Sequence, residues 1–227
     1  MEDVEGWKPK TELGRKVLEG EITSLAEVFN KGYKIKEPEI IEKLVPNLET
    51  ELIEIGQRKG KFGGGKRTPF KQSQRKTAEG SRTSFSCLAA VGNREGYIGM
   101  GSGKASDPVP ARELAIRNAK LNIVPIMRGC GSWQCDCQEP HSIPYKIEGK
   151  CGSVKILLIP APKGTGLVVS DEVKKVLRLA GIKDIWSKIF GETRTRFNTV
   201  KATFNALKNL SQVKLKEQWE KKVKLGE

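Results

Sequence analysis

The sequence predicts an α+β protein built from two small units, each a short antiparallel sheet backed by helices. The first observation is a pattern of short apolar runs, some alternating as in strands and some spaced as in amphipathic helices. The second is composition, because 37% hydrophobic and 30% charged residues provide material for cores beneath a highly charged surface. The third is length, since 227 residues can hold one large domain or two small ones.

An acidic extension is predicted over residues 1–46, with two short helical segments. Ser24, with Glu27 three residues later, is typical of a capping box, and Gly32 can end that helix. Pro38 stands at the favoured first position of the second helix.

The first α+β unit is predicted over residues 47–125 and contains a long basic loop, residues 57–82. The loop has nine Lys and Arg residues against one Glu, and its three consecutive glycines and few aliphatic residues predict flexibility rather than a packed core. The regular elements expected around it are strands at 50–55, 83–91 and 97–100 and a helix from Ala111 to about Asn122. The inner face of this helix is assigned to Ala111, Leu114, Ala115, Asn118 and Leu121.

The second α+β unit is predicted over residues 142–210, after a linker at 126–141 that contains cysteine and histidine. We expect a hairpin with strands 143–147 and 153–159 around a turn at 148–152, a helix capped by Asp171 and ended by Gly181, a strand at 182–190 and a helix at 198–210. Residues 211–227 are predicted to be a lysine-rich C-terminal helix, regular over 211–225.

Charge is distributed unevenly along the chain, whose formal net charge is +14. Residues 1–56 carry 8 basic and 13 acidic side chains, a net charge of −5, which leaves +19 for residues 57–227. This excess predicts a polyanionic partner, above all nucleic acid, for the basic part of the chain. The simpler interpretation of the same charge is a well-solvated surface.

Three further features predict a cytoplasmic protein without a membrane partner. The longest aliphatic run is residues 156–159, whereas a membrane helix needs about 20 apolar residues. The acidic start lacks the apolar region of a signal peptide. Five cysteines, an odd and clustered set, fit reduced thiols better than a disulfide framework.

A zinc site is predicted from Cys130, Cys135, Cys137 and His141, which include the only histidine of the chain. Three thiolates and one imidazole are a recognised set of ligands for structural zinc. Their C-x4-C-x-C-x3-H spacing lies outside the commonest finger patterns, so two alternatives stay open. Cys151 is a rival ligand, or the four side chains are simply reduced residues in a loop packed against RNA. Cys87, in a predicted strand, is expected in the core.

The glycine-rich segments do not predict an enzyme. Residues 99–105 lack the first Gly and the Ser or Thr of a P-loop. Residues 162–166 would cradle a phosphate through backbone N–H groups in a phosphotransferase, but a bare loop is the commoner meaning. The sequence shows no Ser/His/Asp or Cys/His catalytic set with a supporting motif.

Six motifs, in order, resemble a known family. The chain is similar to the universal small-subunit ribosomal protein family numbered five in the bacterial series, in its archaeal form. The resemblance covers about residues 45–210. Its motifs lie at residues 96–105, 140–144, 149–154, 158–166, 180–184 and 201–207.

The resemblance implies a fold, a function and partners. The N-terminal domain would be similar to double-stranded-RNA-binding domains, and the C-terminal α+β domain would contain a left-handed βαβ crossover, against the general right-handed rule. Family members bind small-subunit rRNA near the decoding centre and near the channel where mRNA enters. They contact the ribosomal proteins numbered four and eight in the bacterial series, and they influence decoding accuracy. A free-standing binder of double-stranded RNA is the alternative.

The candidate RNA-binding residues are the basic residues of the 57–82 loop, which the family uses to reach RNA, and four further cations. We expect the loop to be disordered in the free protein and ordered on RNA. The acidic extension is expected to serve protein contacts through its apolar residues, or else to pack on its own first domain. The candidate RNA-binding residues are Arg58, Lys59, Lys61, Lys66, Arg67, Lys71, Arg75, Lys76, Arg82, Lys104, Lys163, Arg194 and Arg196.

Overall fold

The computed structural model describes residues 7–58, 60, 65, 67–135, 137, 139–211 and 224–225. Three candidate RNA-binding residues, Lys59, Lys61 and Lys66, lie outside these residues, as does most of the predicted C-terminal helix. The described helices are α1 (Glu12–Glu19), α2 (Leu25–Asn30), α3 (Glu39–Leu44), α4 (Pro108–Leu121), α5 (Asp171–Leu179) and α6 (Arg196–Leu210). The described strands are β1 (Glu49–Leu52), β2 (Phe70–Thr77), β3 (Gly80–Gly92), β4 (Tyr97–Ala105), β5 (Ile123–Pro125), β6 (Met127–Arg128), β7 (Ile147–Cys151), β8 (Val154–Pro160), β9 (Leu167–Val168), β10 (Ile185–Phe190) and β11 (Lys224–Leu225).

The acidic extension contains three helices rather than the predicted two. The Ser24 N-cap of the predicted capping box is present, because Ser24 Oγ accepts a hydrogen bond from the Glu27 N–H at 3.4 Å. The Glu27 carboxylate accepts from the Ser24 hydroxyl at 3.2 Å, in place of the Ser24 backbone N–H of a full capping box. The unforeseen helix α1 begins after Thr11, whose hydroxyl accepts from the Gly14 N–H at 3.1 Å. Thr11 is a good N-cap residue.

The extension packs on its own first domain, which was the alternative to a role in protein contacts. Ile41 and Tyr97 share one buried cluster, and the ring of Phe29 stacks on that of Tyr97 at 6.2 Å between centroids. Ile40 and Ile41 are fully buried. These apolar residues are therefore occupied within the chain.

The first sheet has the strand order β1-β3-β4-β5, all antiparallel, with β2 paired to β3. The prediction of a flexible loop at 57–82 is wrong over its second half, where β2 and the start of β3 form a hairpin whose last paired residues are Thr77 and Gly80. Because β2 is exposed to solvent along almost all its length, it carries no alternation of apolar and polar residues. The sequence pattern therefore contained no signal for this strand.

Helix α4 packs on β3 and β4 through alanines. Ala111, Ala115 and Ala119 are buried, whereas Leu114, assigned to the inner face, is exposed. The facing strand positions include Gly101 and Gly103, which bring the two backbones close together. Small residues on both elements explain why the larger Leu114 lies outside the contact.

The second domain has the strand order β7-β8-β10-β9. The hairpin turn lies at Gly152 and Ser153, not at 148–152, because most of the predicted turn belongs to β7. Gly152 adopts a φ of 60°, a conformation that a two-residue turn requires and glycine allows. Strand β9 runs parallel to β10 with α5 between them, so the βαβ unit implied by the resemblance is present. Its left-handedness stays a prediction.

Smaller corrections concern three element ends. The N-cap of α5 is Ser170 rather than Asp171, and β10 begins at Ile185 rather than residue 182. The chain at 224–225 forms strand β11, paired antiparallel with β6, so the predicted helix is wrong there. Residues 212–223 of that helix lie outside the described part of the chain.

One hydrophobic core joins the two units. Leu88 and Ala90 of β3 belong to the same buried cluster as Leu177 of α5 and Leu158 of β8. The opposite face of β3 packs on α4, where Ala89 belongs to a separate cluster. Within the described ranges, no helix has the length and apolar character needed to cross a membrane.

Candidate metal centre and nucleic-acid interface

The structure brings the four predicted metal ligands together. One ligand atom from each of Cys130, Cys135, Cys137 and His141 lies within 4.8 Å of all the others. The Sγ atoms of Cys135 and Cys137 are 2.9 Å apart, and Cys135 Sγ is 3.8 Å from His141 Nε2. Cys151 is not a member of this group and packs instead against the main core. This Cys3His cluster could bind a metal ion.

Local hydrogen bonds explain how the linker forms this cluster. The segment from Ser132 to Cys135 makes a turn, in which the Cys135 N–H donates to the Ser132 carbonyl at 3.3 Å. An isolated bridge between Gly129 and Ser142, with N–O distances of 2.9 and 3.0 Å, closes the base of the loop. At Gly131 an added Cβ would lie 2.1 Å from the Pro144 carbonyl oxygen, so this crossing requires glycine.

Asp184, which sequence reasoning missed, orients the predicted histidine ligand. The His141 side chain is buried, and its Nδ1 lies 2.9 Å from Asp184 Oδ2. A carboxylate accepts hydrogen bonds, so Nδ1 is the donor to Asp184, and Nε2 is the ring atom that faces Cys135. The other carboxylate oxygen of Asp184 accepts from the Gly166 N–H at 2.8 Å. Asp184 is the last residue of the family-like motif at 180–184, but nothing in that motif indicated a contact with His141, which lies 43 residues earlier in the chain.

The thiol groups of the cluster differ in acidity. Burial raises the pKa of Cys130 to about 12. A hydrogen bond between the thiol groups of Cys135 and Cys137 lowers the pKa of Cys135 to about 6, and the backbone N–H of Lys163 adds to this effect. A metal ion that binds all three sulfur atoms must therefore displace a firmly held proton from Cys130, and such binding becomes stronger as pH rises.

Lys163 lies beside the metal cluster. Its ammonium group forms an ion pair with Glu139 at 2.7 Å, while its backbone N–H donates to the sulfur of Cys135. The side chain is 58% exposed, so a further contact with phosphate is open to it. The loop at 162–166 thus supports the cysteine cluster, a role that the phosphate-cradle interpretation did not include.

Four candidate RNA-binding residues share one face of the first sheet. In the β2–β3 register Arg75 lies directly opposite Arg82, and Lys71 opposite Ser86, which in turn pairs with Lys104 of β4. Paired residues project to the same face of a sheet, so Lys71, Arg75, Arg82 and Lys104 form what we call the basic face. Within the described residues, none of the four has a carboxylate at ion-pair distance.

Lys76 lies on the other side of the hairpin, opposite Ser81. The basic face is continuous with the face of β3 that enters the core between the two units, because Leu88 and Ala90 follow Ser86 at two-residue intervals. Helix α4 covers the opposite face, where Cys87 is fully buried as predicted.

Three of the remaining four candidates form a separate group. Arg67, Arg194 and Arg196 line one surface pocket together with Glu172. Arg196 is held by Glu172 at 2.5 Å, and a guanidinium N–H of Arg67 donates to the Gly56 carbonyl at 3.5 Å. Arg58 donates to the Gly65 carbonyl at 3.0 Å. Three of these four side chains thus have internal partners, and Arg194 has none among the described contacts.

Comparison with known proteins places this architecture in one family. Residues 69–127 match the family model "Ribosomal protein S5, N-terminal domain", and residues 149–222 match "Ribosomal protein S5, C-terminal domain". The chain is 52% identical over 215 residues to "Small ribosomal subunit protein uS5" of Nanoarchaeum equitans, covering 95% of this chain and 92% of that protein.

Two further relatives carry the same name. The protein of Thermofilum pendens is 52% identical over 213 residues, which cover 94% of this chain and 98% of the relative. That of Methanocaldococcus jannaschii is 46% identical over 225 residues, which cover 99% and 97% of the two chains. The family is one of structural ribosomal proteins, which confirms that the chain is not an enzyme and removes the phosphotransferase hypothesis. The chain therefore belongs to the ribosomal protein S5 family.

Proposed function

We propose that the chain is a structural constituent of the small ribosomal subunit in the cytoplasm, where its basic face binds rRNA. In the subunit it lies near the decoding centre and the channel where mRNA enters, contacts the ribosomal proteins numbered four and eight in the bacterial series, and supports decoding accuracy. The observation that carries RNA binding is the basic face of the β2–β3 hairpin and β4, whose four cations have no carboxylate partner in the described part of the chain.

The direct opposition of Arg75 and Arg82 supports an anionic partner. Like charges that face each other across a strand pair destabilise the pair. A phosphate group between them removes this repulsion and supplies a partner for two guanidinium groups that have none among the described residues. The serines on the same face, such as Ser73 and Ser84 with their hydroxyl oxygens 2.9 Å apart, are small and polar and leave room for a backbone to approach. A-form RNA is usually recognised through such phosphate and shape contacts.

Replacing Lys71, Arg75 and Arg82 together with Gln should weaken binding to double-stranded RNA and make it less dependent on salt. Each lost phosphate contact lowers the slope of log affinity against log salt by roughly 0.7 to 0.9, so the slope should fall by about 2. Fluorescence anisotropy over a salt series measures this slope. The matched control is Gln at Lys31, Lys34 and Lys36, three exposed cations of the acidic extension.

We call the variant with Gln at Lys71, Arg75 and Arg82 the hairpin variant. If its slope of log affinity against log salt equals that of the parent, the basic face is not the RNA contact. The free-standing RNA binder is tested separately, by sedimentation of the native protein. A ribosomal constituent sediments with small subunits, whereas a free-standing binder remains in the light fractions.

We also propose that the Cys3His cluster binds one structural zinc ion. Three thiolates favour a soft or borderline metal, and a closed set of three sulfurs and one nitrogen suits zinc in a structural rather than a catalytic site. The Asp184 carboxylate on His141 is the outer contact that zinc-binding histidines usually have. A bound zinc ion would connect the linker to the second unit through His141 and Asp184.

The Asp184→Asn variant should bind zinc roughly 10- to 100-fold more weakly. The amide NH2 would donate to Nδ1, which places the histidine proton on Nε2, where the metal would bind. Competition with a chromophoric chelator measures the affinity. The matched control is Asp171→Asn, since Asp171 is exposed on α5 and contacts only Lys174 among the described residues. Equal zinc affinity in Asp184→Asn and the parent would contradict the assigned role.

A further inference from the structure

Trp133 is the most exposed of the large hydrophobic side chains described, at 88%. It lies in the turn between Cys130 and Cys135, where the Gln134 N–H also contacts the Ser132 hydroxyl at 3.4 Å. The turn is anchored on both sides by the clustered cysteines. An indole held out into solvent by a tight turn contributes nothing to the core and leaves its ring open to another molecule.

A basic cleft of about 930 Å³ adjoins the same cluster, since its wall includes His141 and Pro140. The other lining residues include five cations, namely Arg94, Arg128, Lys174, Arg178 and Lys183, against one carboxylate from Glu139.

Internal contacts neutralise only part of this charge. Arg94 pairs with Glu49 at 2.7 Å, and Lys174 with Asp171 at 3.3 Å. Arg178 and Lys183 are both exposed, and no described carboxylate lies within ion-pair distance of either. The cleft therefore keeps a net positive charge.

An exposed aromatic ring on the cysteine turn, together with a cationic cleft whose wall includes His141 of the same cluster, matches the chemistry of a single-stranded nucleic acid. A base stacks on the indole, and the adjoining phosphates enter the cleft. In a duplex the base faces are already stacked and closed to the indole. A protein partner that used the ring as an apolar anchor would also have to bring carboxylates for the cations of the cleft, whereas RNA provides a phosphate at every nucleotide.

We infer that Trp133 and the basic cleft form a binding site for unpaired RNA nucleotides, separate from the basic face. This rests on the proposed function in that the polymer is RNA. It goes further in assigning different structures of RNA to two surfaces, duplex to the basic face and an unpaired strand to Trp133. The ring stacks on any of the four bases, while Arg178 and Lys183 bind phosphates.

The test uses the full-length protein as purified and two fluorescein-labelled probes, an oligouridylate of about eight nucleotides and an RNA duplex of about 16 base pairs. Trp133→Ala should weaken oligouridylate binding by about fivefold or more and leave duplex binding unchanged. Trp133→Phe should restore most of the loss, because a ring remains. Phe190→Ala, at a ring 54% exposed on β10, is the matched aromatic control.

Arg178→Gln with Lys183→Gln should lower the salt dependence of oligouridylate binding, by roughly 0.7 per contact. The hairpin variant should show the opposite pattern, with loss on the duplex only, so failure of the basic face and failure of this site are distinguishable. Equal oligouridylate affinity in Trp133→Ala and the parent overturns the inference, and so does an equal loss on both probes. If Trp133→Ala binds both probes normally but does not enter small subunits, Trp133 serves a protein contact and the RNA site is overturned.

Discussion

Replacing Cys135 and Cys137 together with serine should abolish zinc binding and lower the free energy of unfolding by about 4 kcal/mol or more. Loss of a bound metal is among the few changes that cost this much, because binding energy realised only in the folded state is folding energy. Among its described residues, the hydrogen bonds within the linker between Gly129 and Ser142 are short-range, mainly the turn at Ser132, the His141 N–H to Glu139 carbonyl bond and the bridge at its base. Without metal, Cys135 and Cys137 are joined by a thiol–thiol hydrogen bond, which stabilises the linker little.

Elemental analysis and chemical denaturation of protein never exposed to chelator measure both effects. Cys151→Ser is the matched control, because Cys151 is half-buried and lies outside the cluster. It should retain one zinc ion per chain. Parent protein without stoichiometric zinc would rule out the site, as would a double variant as stable as the parent.

Replacing Gly101 with valine should destabilise the protein by about 3 kcal/mol or more, at the upper end of overpacking effects. A Cβ at Gly101 would lie 2.1 Å from the Ala119 nitrogen and 2.4 Å from the Ala115 carbonyl oxygen. Both atoms belong to the backbone of α4, so no side chain can rotate away. The helix must shift as a whole, which opens its contacts with β3 and β4.

Ser102→Val is the matched control, since Ser102 is the next residue on β4 and is exposed on the opposite face. Valine favours strands, so this change should be nearly neutral. Denaturation midpoints of the two variants provide the comparison. Similar midpoints would contradict the role of Gly101 in helix packing. The segment at 99–105, which has the composition of a phosphate-binding loop, thus contains glycines for a different reason, the close approach of a helix.

Sequence reasoning succeeded where a residue type alone limits the outcome. The Ser24 N-cap and the clustering of three cysteines with one histidine were predicted, because few residue types favour a helix N-cap or a metal site. That the cluster binds metal stays a prediction. Asp184 was missed because its contact with His141 is set by tertiary packing, and an aspartate after a helix has many uses.

Strand β2 and the inner face of α4 were missed for a related reason. Periodicity detects a strand only when one face is buried, and β2 is an exposed arm paired on one side with β3. For α4, the rule that larger apolar residues lie inside selected Leu114, whereas the glycines of β4 left a gap that only alanines fit. In both cases the deciding information belongs to the neighbouring strand.

Strand β3 also has a consequence for how the family varies. Its successive residues lie in two different cores, with Ala89 against α4 and Ala90 in the core shared with α5. A change of volume at Ala89 must be compensated near Ala115, and a change at Ala90 near Leu177, more than 80 residues further along the chain. Among relatives, adjacent positions of this one strand should therefore covary with separate halves of the protein and drift independently of each other.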